Sequence, residues 1–136
     1  TRLWPGKSPM RLVIDRKNSL DRGLRLFDNT TKTALFTEVF RDFEGLDKVE
    51  QVVVDFEGDV LAQIAEYLYK NKVQRLLVEG GAHTLQHFID AGLWDEAYIE
   101  WAPLILGDGV KAPNIKKWQK KETLVSFGHQ IEHFFA

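Results

Sequence analysis

The hydrophobic positions in the first part of the chain fall into short runs of strand length, separated by polar stretches. Such runs occur at 10–15, 34–37 and 51–55. The last of them, Gln51-Val52-Val53-Val54-Asp55, is rich in β-branched residues, which favour the extended backbone of a strand. The pattern therefore predicts three strands in this region.

The spacing of the hydrophobic positions changes after Gly58. Apolar residues then recur three and four positions apart, which places them on one face of a helix. Asp59 is suited to cap the amide groups at the start of this helix, and Asn71 is suited to end it. The predicted apolar stripe consists of Val60, Leu61, Ile64, Ala65 and Leu68.

A fourth strand and a second helix are predicted next. Residues 75–79 are nearly continuous in apolar character, which is typical of a strand buried on both faces. The helix begins at about Ala82 and ends at Ala91-Gly92, and its predicted inward positions are Ala82, Leu85, Phe88 and Ile89.

The last part of the chain reads as antiparallel structure. Residues 96–102 alternate like a strand, and residues 123–127 and 131–135 predict a hairpin around Gly128-His129. The order strand, helix, strand, helix, strand in the middle of the chain predicts an α/β fold. We expect a mixed, mostly parallel sheet with right-handed crossovers, flanked by helices, with the antiparallel hairpin at its C-terminal end.

The composition is that of one globular domain, since the chain has 136 residues and 44% of them are hydrophobic. The formal net charge of −2 argues against a large nucleic-acid surface, so no nucleic-acid partner is expected. The absence of cysteine excludes disulfides, thiolate catalysis and cysteine-based zinc sites. No apolar run approaches the roughly 18 residues that span a bilayer, and we expect a cytoplasmic protein without a membrane partner.

The clearest chemical signal is the turn Glu79-Gly80-Gly81-Ala82, between the fourth predicted strand and the second predicted helix. Two glycines let the backbone turn sharply and let a ligand approach without meeting a Cβ atom. The start of the helix offers unpaired N–H groups and the positive end of its dipole, which suit a phosphate. Such a turn serves tight packing alone about as often as it binds a ligand. It is also not a complete dinucleotide-binding motif.

Three sequence blocks make this turn more specific. They are Leu-Val-Glu-Gly-Gly-Ala-His-Thr-Leu at 77–85, Phe-Ile-Asp-Ala-Gly-Leu-Trp-Asp-Glu at 88–96 and Ala-Pro-Leu-Ile-Leu-Gly at 102–107. In this order and near this spacing they resemble the reductase domain of the bifunctional riboflavin biosynthesis deaminase-reductase. Residues 11–15 and the terminal hairpin also match that family, so the resemblance covers nearly the whole chain.

The resemblance implies a dihydrofolate-reductase-like fold. It also implies an activity, the NADPH-dependent reduction of the ribose of 5-amino-6-(5-phosphoribosylamino)uracil to ribitol in riboflavin biosynthesis. Members of the family carry a first strand and a deaminase domain before the position of Thr1. We therefore expect residues 1–136 to be a reductase domain that lacks these parts, with weak or no turnover as a fragment.

The same resemblance implies roles for particular residues. Glu79 and Arg2 are expected to bind the substrate, Arg2 through the substrate phosphate, which a guanidinium binds bidentately. Arg16 falls at a cofactor contact just after a strand, where a cation suits a 2′-phosphate. The residues expected to line the NADPH phosphates are Gly81, Ala82, His83, Thr84, Leu85, Gln86 and His87. No proton donor is evident.

Other interpretations remain. His83 and His87 have the spacing of a metal-binding pair but no evident third ligand, and no metal is expected. The alternative function is a non-catalytic nucleotide-binding or dimerisation module. A homodimer is expected, as is usual in the family, with Tyr98, Trp101 and Leu104 near its interface. Ordinary dihydrofolate reductase has no support, because nothing here resembles its folate-binding acid.

Overall fold

The structure of the protein, a computed structural model, describes residues 5–105 and 107–136. The chain forms two compact units, the first extending to Gln74 and the second running from Arg75 to Ala136. Each unit contains its own three-stranded sheet, parallel in the first and antiparallel in the second. The described residues contain no helix long and apolar enough to cross a membrane.

The first unit is organised around its central strand. The sheet order is β1 (Arg11–Ile14), β2 (Thr33–Thr37) and β3 (Val49–Val53), and β2 pairs in parallel with both neighbours. All five residues of β2 are buried, as expected for a parallel strand that is covered on both faces. The three predicted strands are confirmed, the third beginning two residues earlier than predicted.

Helix α1 (Val60–Lys70) covers one face of this sheet. Asp59 caps the helix, since its carboxylate accepts a hydrogen bond of 2.9 Å from the backbone N–H of Ala62, and Asn71 ends it. Both predicted helix boundaries are therefore confirmed. The buried core cluster consists of Ala34, Phe36, Val54, Ile64 and Leu68. Ala65 is exposed, so the apolar stripe is narrower than the sequence predicted.

The long connection from β1 to β2 is held in place by a largely covered ion pair. Nη1 of Arg11 lies 2.7 Å from Oδ1 of Asp28 and also donates to the carbonyl of Arg25, which belongs to a short 3₁₀ turn (Arg25–Phe27). Hydrogen bonds from Arg11 and Thr30 hold the pKa of Asp28 well below its usual range. The pair therefore fastens the connection to the edge of the sheet.

The second unit begins with a segment that differs from the prediction. Residues 75–79 form neither strand nor helix, and the side chain of Leu77 is 80% exposed, so the predicted buried strand is wrong. A strand requires a ladder partner. Among the described residues of this unit, β6 is paired on both sides by β4 and β5, and residues 75–79 join none of these ladders. The apolar run is instead a coil segment that precedes the next helix.

The remaining elements of the second unit agree with the prediction. Helix α2 (Ala82–Asp90) begins and ends where expected, with Gly92 at φ 66° just beyond it. Strands β4 (Glu96–Trp101), β5 (Lys120–Ser126) and β6 (His129–Phe135) form an antiparallel sheet in the order β4-β6-β5. The terminal hairpin is confirmed, but its turn lies at Phe127-Gly128, one residue earlier than predicted, and β5 begins three residues earlier than predicted. The fold class predicted from the sequence is confirmed.

One face of this sheet is tied together by an aromatic and polar cluster. The ring of His133 stacks on Tyr98 with 4.1 Å between the centroids, and Nε2 of His133 lies 3.0 Å from the carboxylate of Glu96. The Tyr98 hydroxyl donates to the same carboxylate at 3.0 Å. The hydrogen bond from Tyr98 lowers the pKa of Glu96 most, and the hydrogen bond with His133 lowers it further. The cluster fixes the register between β4 and β6.

We expect the stability contributed by Asp28 to depend on pH. Because its pKa in the folded protein lies below the unfolded value of about 4, the contribution is present above that value and is lost as the pH falls below it. Asp28→Asn should lower the urea midpoint at neutral pH, and this deficit should shrink between about pH 5 and about pH 2. Asp42→Asn, at an exposed carboxylate in the same unit, is the control. A deficit that does not vary with pH would contradict the assignment.

The hairpin turn carries a correctable strain. Phe127 and Gly128 have φ values of 51° and 80°, which is a type I′ turn, and the Phe127 side chain is fully exposed. Phe127→Asn should stabilise the protein by about 1 kcal/mol, because asparagine tolerates the left-handed conformation. Phe127→Ala removes the same exposed ring without relieving the backbone. Equal effects of the two changes on the thermal midpoint would show that the turn is not the cause.

Candidate functional site

The start of α2 presents backbone amides without a capping side chain. Gly81 occupies the N-cap position with extended backbone, and no side chain accepts a hydrogen bond from the first turn. The first hydrogen bond of the helix runs from the N–H of Leu85 to the carbonyl of Gly81 at 3.2 Å. The amides of Ala82, His83 and Thr84 therefore have no acceptor within the helix, and they lie at the positive end of its dipole.

The two glycines before α2 have different roles. A Cβ atom on Gly80 would lie 2.9 Å from Cβ of Thr84, so Gly80 permits close packing against the first turn. A Cβ atom on Gly81 would meet nothing within 4 Å. The space in front of the helix start is therefore open, and an anionic group has room to approach the free amides. The role of this helix start as a cofactor site stays a prediction.

The two histidines of α2 lie side by side on its surface. The ring centroids of His83 and His87 are 4.3 Å apart, and both residues are exposed. Within 5–105 and 107–136, no three histidine, aspartate or glutamate side chains come together as metal ligands. A cofactor contact by either imidazole stays a prediction.

Gln86 has a structural role that the sequence did not indicate. Its side-chain amide donates to Asp90 at 3.0 Å and to the carbonyl of Asn114 at 3.3 Å, and its Oε1 accepts from the N–H of Asn114 at 2.8 Å. These bonds fasten the segment that precedes β5 to the surface of α2. A cofactor contact by Gln86 stays a prediction. Both the nitrogen and the oxygen of its side-chain amide already form hydrogen bonds within the protein.

Of the two predicted substrate-binding residues, Glu79 and Arg2, the structure describes only Glu79. Glu79 is exposed and lies two positions before Gly81, the N-cap residue of α2. Arg2 lies outside the described residues. The substrate-binding roles of both residues stay predictions.

Arg16, the last predicted cofactor contact, belongs to the first unit and is already paired. Its Nε lies 2.8 Å from Oε2 of Glu38, and its Nη2 lies 2.6 Å from Oε1 of Glu57. The hydrogen bonds to Glu38 and then to Glu57 raise the pKa of the guanidinium further above its already high value. The guanidinium also lies 5.5 Å from the centre of the Phe56 ring. The sequence predicted that Arg16 would offer its charge to a 2′-phosphate. In the structure its guanidinium is paired with two carboxylates instead.

The position of these three charges follows from the parallel sheet. Arg16 comes just after β1, Glu38 directly after β2 and Glu57 shortly after β3. The carboxyl ends of parallel strands meet at one edge, and this edge is where open α/β sheets bind ligands. Glu38 and Glu57 were not singled out in the sequence. Their places just after predicted strands were the signal that could have identified them.

The opposite edge of the same sheet has a different character. An open groove of about 530 Å³ lies beside the amino ends of β2 and β3. Lys32 and Glu50 form an ion pair of 2.8 Å there, and Glu50 also accepts a hydrogen bond from the hydroxyl of Tyr67. The charges of this groove neutralise one another, and it lies at the edge away from Arg16.

Comparison with known proteins identifies the family. The model of the RibD C-terminal domain matches residues 1–129. The chain belongs to this family. The resemblance seen in the sequence blocks around Gly80-Gly81 is therefore confirmed, and it extends from the first unit into the second.

Curated relatives agree with this membership. The riboflavin biosynthesis protein RibD of Haemophilus influenzae is 31% identical over 137 residues, a match that covers 93% of this chain and 36% of the relative. A 2,5-diamino-6-ribosylamino-4(3H)-pyrimidinone 5′-phosphate reductase of Archaeoglobus fulgidus is 27% identical, with coverages of 79% and 51%. The chain thus spans about a third to a half of the length of these relatives.

Solved structures share the fold. RibD of Acinetobacter baumannii matches with a TM-score of 0.74 at 18% identity, covering 93% of this chain and 37% of that one. The riboflavin biosynthesis reductase Rib7 of Saccharomyces cerevisiae matches with a TM-score of 0.76 at 14% identity, covering 94% and 69%. At such identities the likeness concerns the fold, which is the dihydrofolate-reductase-like fold of these reductases.

Proposed function

We propose that this domain is the reductase of riboflavin biosynthesis, which uses NADPH to reduce the ribose of 5-amino-6-(5-phosphoribosylamino)uracil to ribitol in the cytoplasm. The observation that carries the proposal is the family match over residues 1–129. The name of the archaeal relative supports a pyrimidine ribose-phosphate as substrate. The open, uncapped start of α2 supports a binding site for the cofactor phosphates.

In this proposal the protein chiefly binds and orients the reactants. NADPH, when bound, supplies the hydride that reduces the sugar. The amides of residues 82–84 bind its phosphates, with His83 and His87 alongside. Glu79 accepts a hydrogen bond from a hydroxyl or amine of the substrate, and Arg2 binds the substrate phosphate. Catalysis then rests on holding the two reacting carbons at the right distance and angle.

The alternative, a non-catalytic nucleotide-binding or dimerisation module, differs in one measurable respect. Such a module binds the cofactor or a second copy but does not oxidise NADPH when the pyrimidine substrate is added. Absorbance at the nicotinamide band, followed with and without substrate, separates the two functions.

We also propose that the domain forms a homodimer through the edge of β4. Tyr98, Trp101 and Leu104 are all exposed, which supports this surface. Tyr98 and Trp101 point to opposite faces of β4, because side chains alternate along a strand. Only a contact that runs along the strand edge reaches both, and β4 is an edge strand of its sheet.

Gly81→Val is expected to weaken NADPH binding while the fold survives. A Cβ atom added at Gly81 meets no protein atom within 4 Å, and the valine side chain is expected to fill the space in front of the free amides. We expect at least a roughly tenfold rise in Kd, the equivalent of losing one charge-assisted hydrogen bond. Quenching of tryptophan fluorescence measures the Kd. Gly109→Val, at another glycine with open surroundings, is the control. An unchanged Kd for Gly81→Val would exclude the helix start as the phosphate site.

Trp101→Arg is expected to shift the domain from dimer toward monomer. A charged side chain at a buried apolar contact must be desolvated, which weakens association. Sedimentation velocity at several concentrations measures the change. Tyr69→Arg alters an exposed aromatic residue of α1 in the first unit and should leave association unchanged. A monomeric parent domain, or equal association of both variants, would refute the β4 interface.

A further inference from the structure

The four histidines of the chain form two pairs with the same spacing. His83 and His87 are four positions apart in α2, and His129 and His133 are four positions apart in β6. This spacing brings two side chains into contact on a helix but not on a strand. The secondary structure therefore decides which pair can hold one ligand between its rings.

The two histidines of β6 are separate from one another. A strand rises about 3.3 Å per residue, so positions four apart lie about 13 Å from each other. Each imidazole also meets its own carboxylate on β4. Nδ1 of His129 lies 2.6 Å from Glu100, and Nε2 of His133 lies 3.0 Å from Glu96. This pair cannot share an ion.

The two histidines of α2 lie together on one surface. Their ring centroids are 4.3 Å apart, and the planes of the rings are inclined by 60° to each other. Inclined rings allow a nitrogen of each imidazole to reach the same ion, which parallel stacking would prevent. Both residues are exposed, so an ion can approach them from solvent.

The surroundings of His83 and His87 leave the imidazoles available. Within 5–105 and 107–136, the only side chain of α2 residues 82–87 that forms a hydrogen bond is that of Gln86. The helix has no lysine or arginine to repel a metal ion. The positive end of the helix dipole opposes a cation near His83, but this effect falls off within the first turn and is small beside coordinate bonds.

We propose that His83 and His87 together bind a divalent transition-metal ion. Two histidines at this spacing on a helix are a recurrent pair of ligands for such ions. Imidazole suits Zn²⁺, Ni²⁺ and Cu²⁺, whereas Mg²⁺ and Ca²⁺ take oxygen ligands. In the described part of the chain no third histidine or carboxylate joins the pair, so water completes the coordination and the ion exchanges with solvent.

The site differs from the proposed cofactor site in the atoms that it uses. The cofactor phosphates are proposed to meet backbone N–H groups, whereas the metal ion meets ring nitrogens. Metal binding can be measured without NADPH, so the inference does not depend on the proposed function. The ion would join the first turn of α2 to the second and would thereby stabilise the folded helix.

The test measures Ni²⁺ binding to the untagged chain by equilibrium dialysis. We expect the Kd to rise at least about tenfold in His87→Gln, because the remaining imidazole loses the advantage of a second ligand held beside it. His129→Gln removes one histidine of the pair on β6 and should keep the parent Kd. Excess Mg²⁺ should not displace Ni²⁺.

A second measurement locates the ion by NMR. Cu²⁺ is paramagnetic and broadens the signals of the groups that bind it, and it binds a given nitrogen site more tightly than Ni²⁺ or Zn²⁺. As Cu²⁺ is added, the imidazole signals of His83 and His87 should broaden together, before those of His129 and His133. In His87→Gln the broadening of His83 should require a roughly tenfold higher Cu²⁺ concentration.

Several results would overturn the inference. They are the absence of Ni²⁺ binding by the parent chain below about 1 mM, an unchanged Kd in His87→Gln, and an equal rise in Kd in His129→Gln. Equal broadening of all four imidazoles would show that each histidine binds metal by itself. Circular dichroism of each variant, with the parent spectrum as reference, verifies that folded proteins are compared. None of these results changes the case for the proposed function.

Discussion

The complete burial of β2 is the constraint on which the first unit depends. Its five residues are shielded on both faces and paired in parallel on both edges. A buried strand must satisfy every backbone group within the sheet, so β1 and β3 are held to one register. Helix α1 then covers Ala34 and Phe36, and the connection from β1 folds over the other face, where the hydroxyl of Thr33 donates to the carbonyl of Leu26. None of the other strands that the structure describes is buried along its whole length.

This constraint also determines where chemistry is possible. Because the three parallel strands end together, the residues just after them become neighbours although they are far apart in sequence. Arg16, Glu38 and Glu57 meet for this reason. In the second unit the capacity to bind a ligand has another origin. The N–H groups that follow Gly81 are unpaired because they begin a helix, and this requires no contact with residues far away in sequence. The first unit presents side-chain charges, and the second unit presents backbone N–H groups.

The parts of the structure that the sequence predicted are those with local causes. The cap at Asp59, the end of α1 at Asn71 and the hairpin around Gly128 each depend on a few adjacent residues. Residues 75–79 were mispredicted because a strand depends on a partner, which apolar character alone does not reveal. The pairing of Arg16 and the clamp formed by Gln86 join residues from 22 to 41 positions apart. Single-sequence patterns carry no information about such distances, whereas the family resemblance was visible because its motifs are contiguous.

The bonds between Gln86 and Asn114 have a consequence for how this domain can vary. The segment around Asn114 forms these bonds through its backbone. The helix forms them through the side chain of Gln86, which has one particular length and chemistry. A change of segment length near residue 114 would shift the register of the backbone groups that this amide meets, and a shorter side chain at position 86 would leave them without a partner. The segment and the helix therefore constrain each other. A graft of either one from another member of the family would have to bring the other with it.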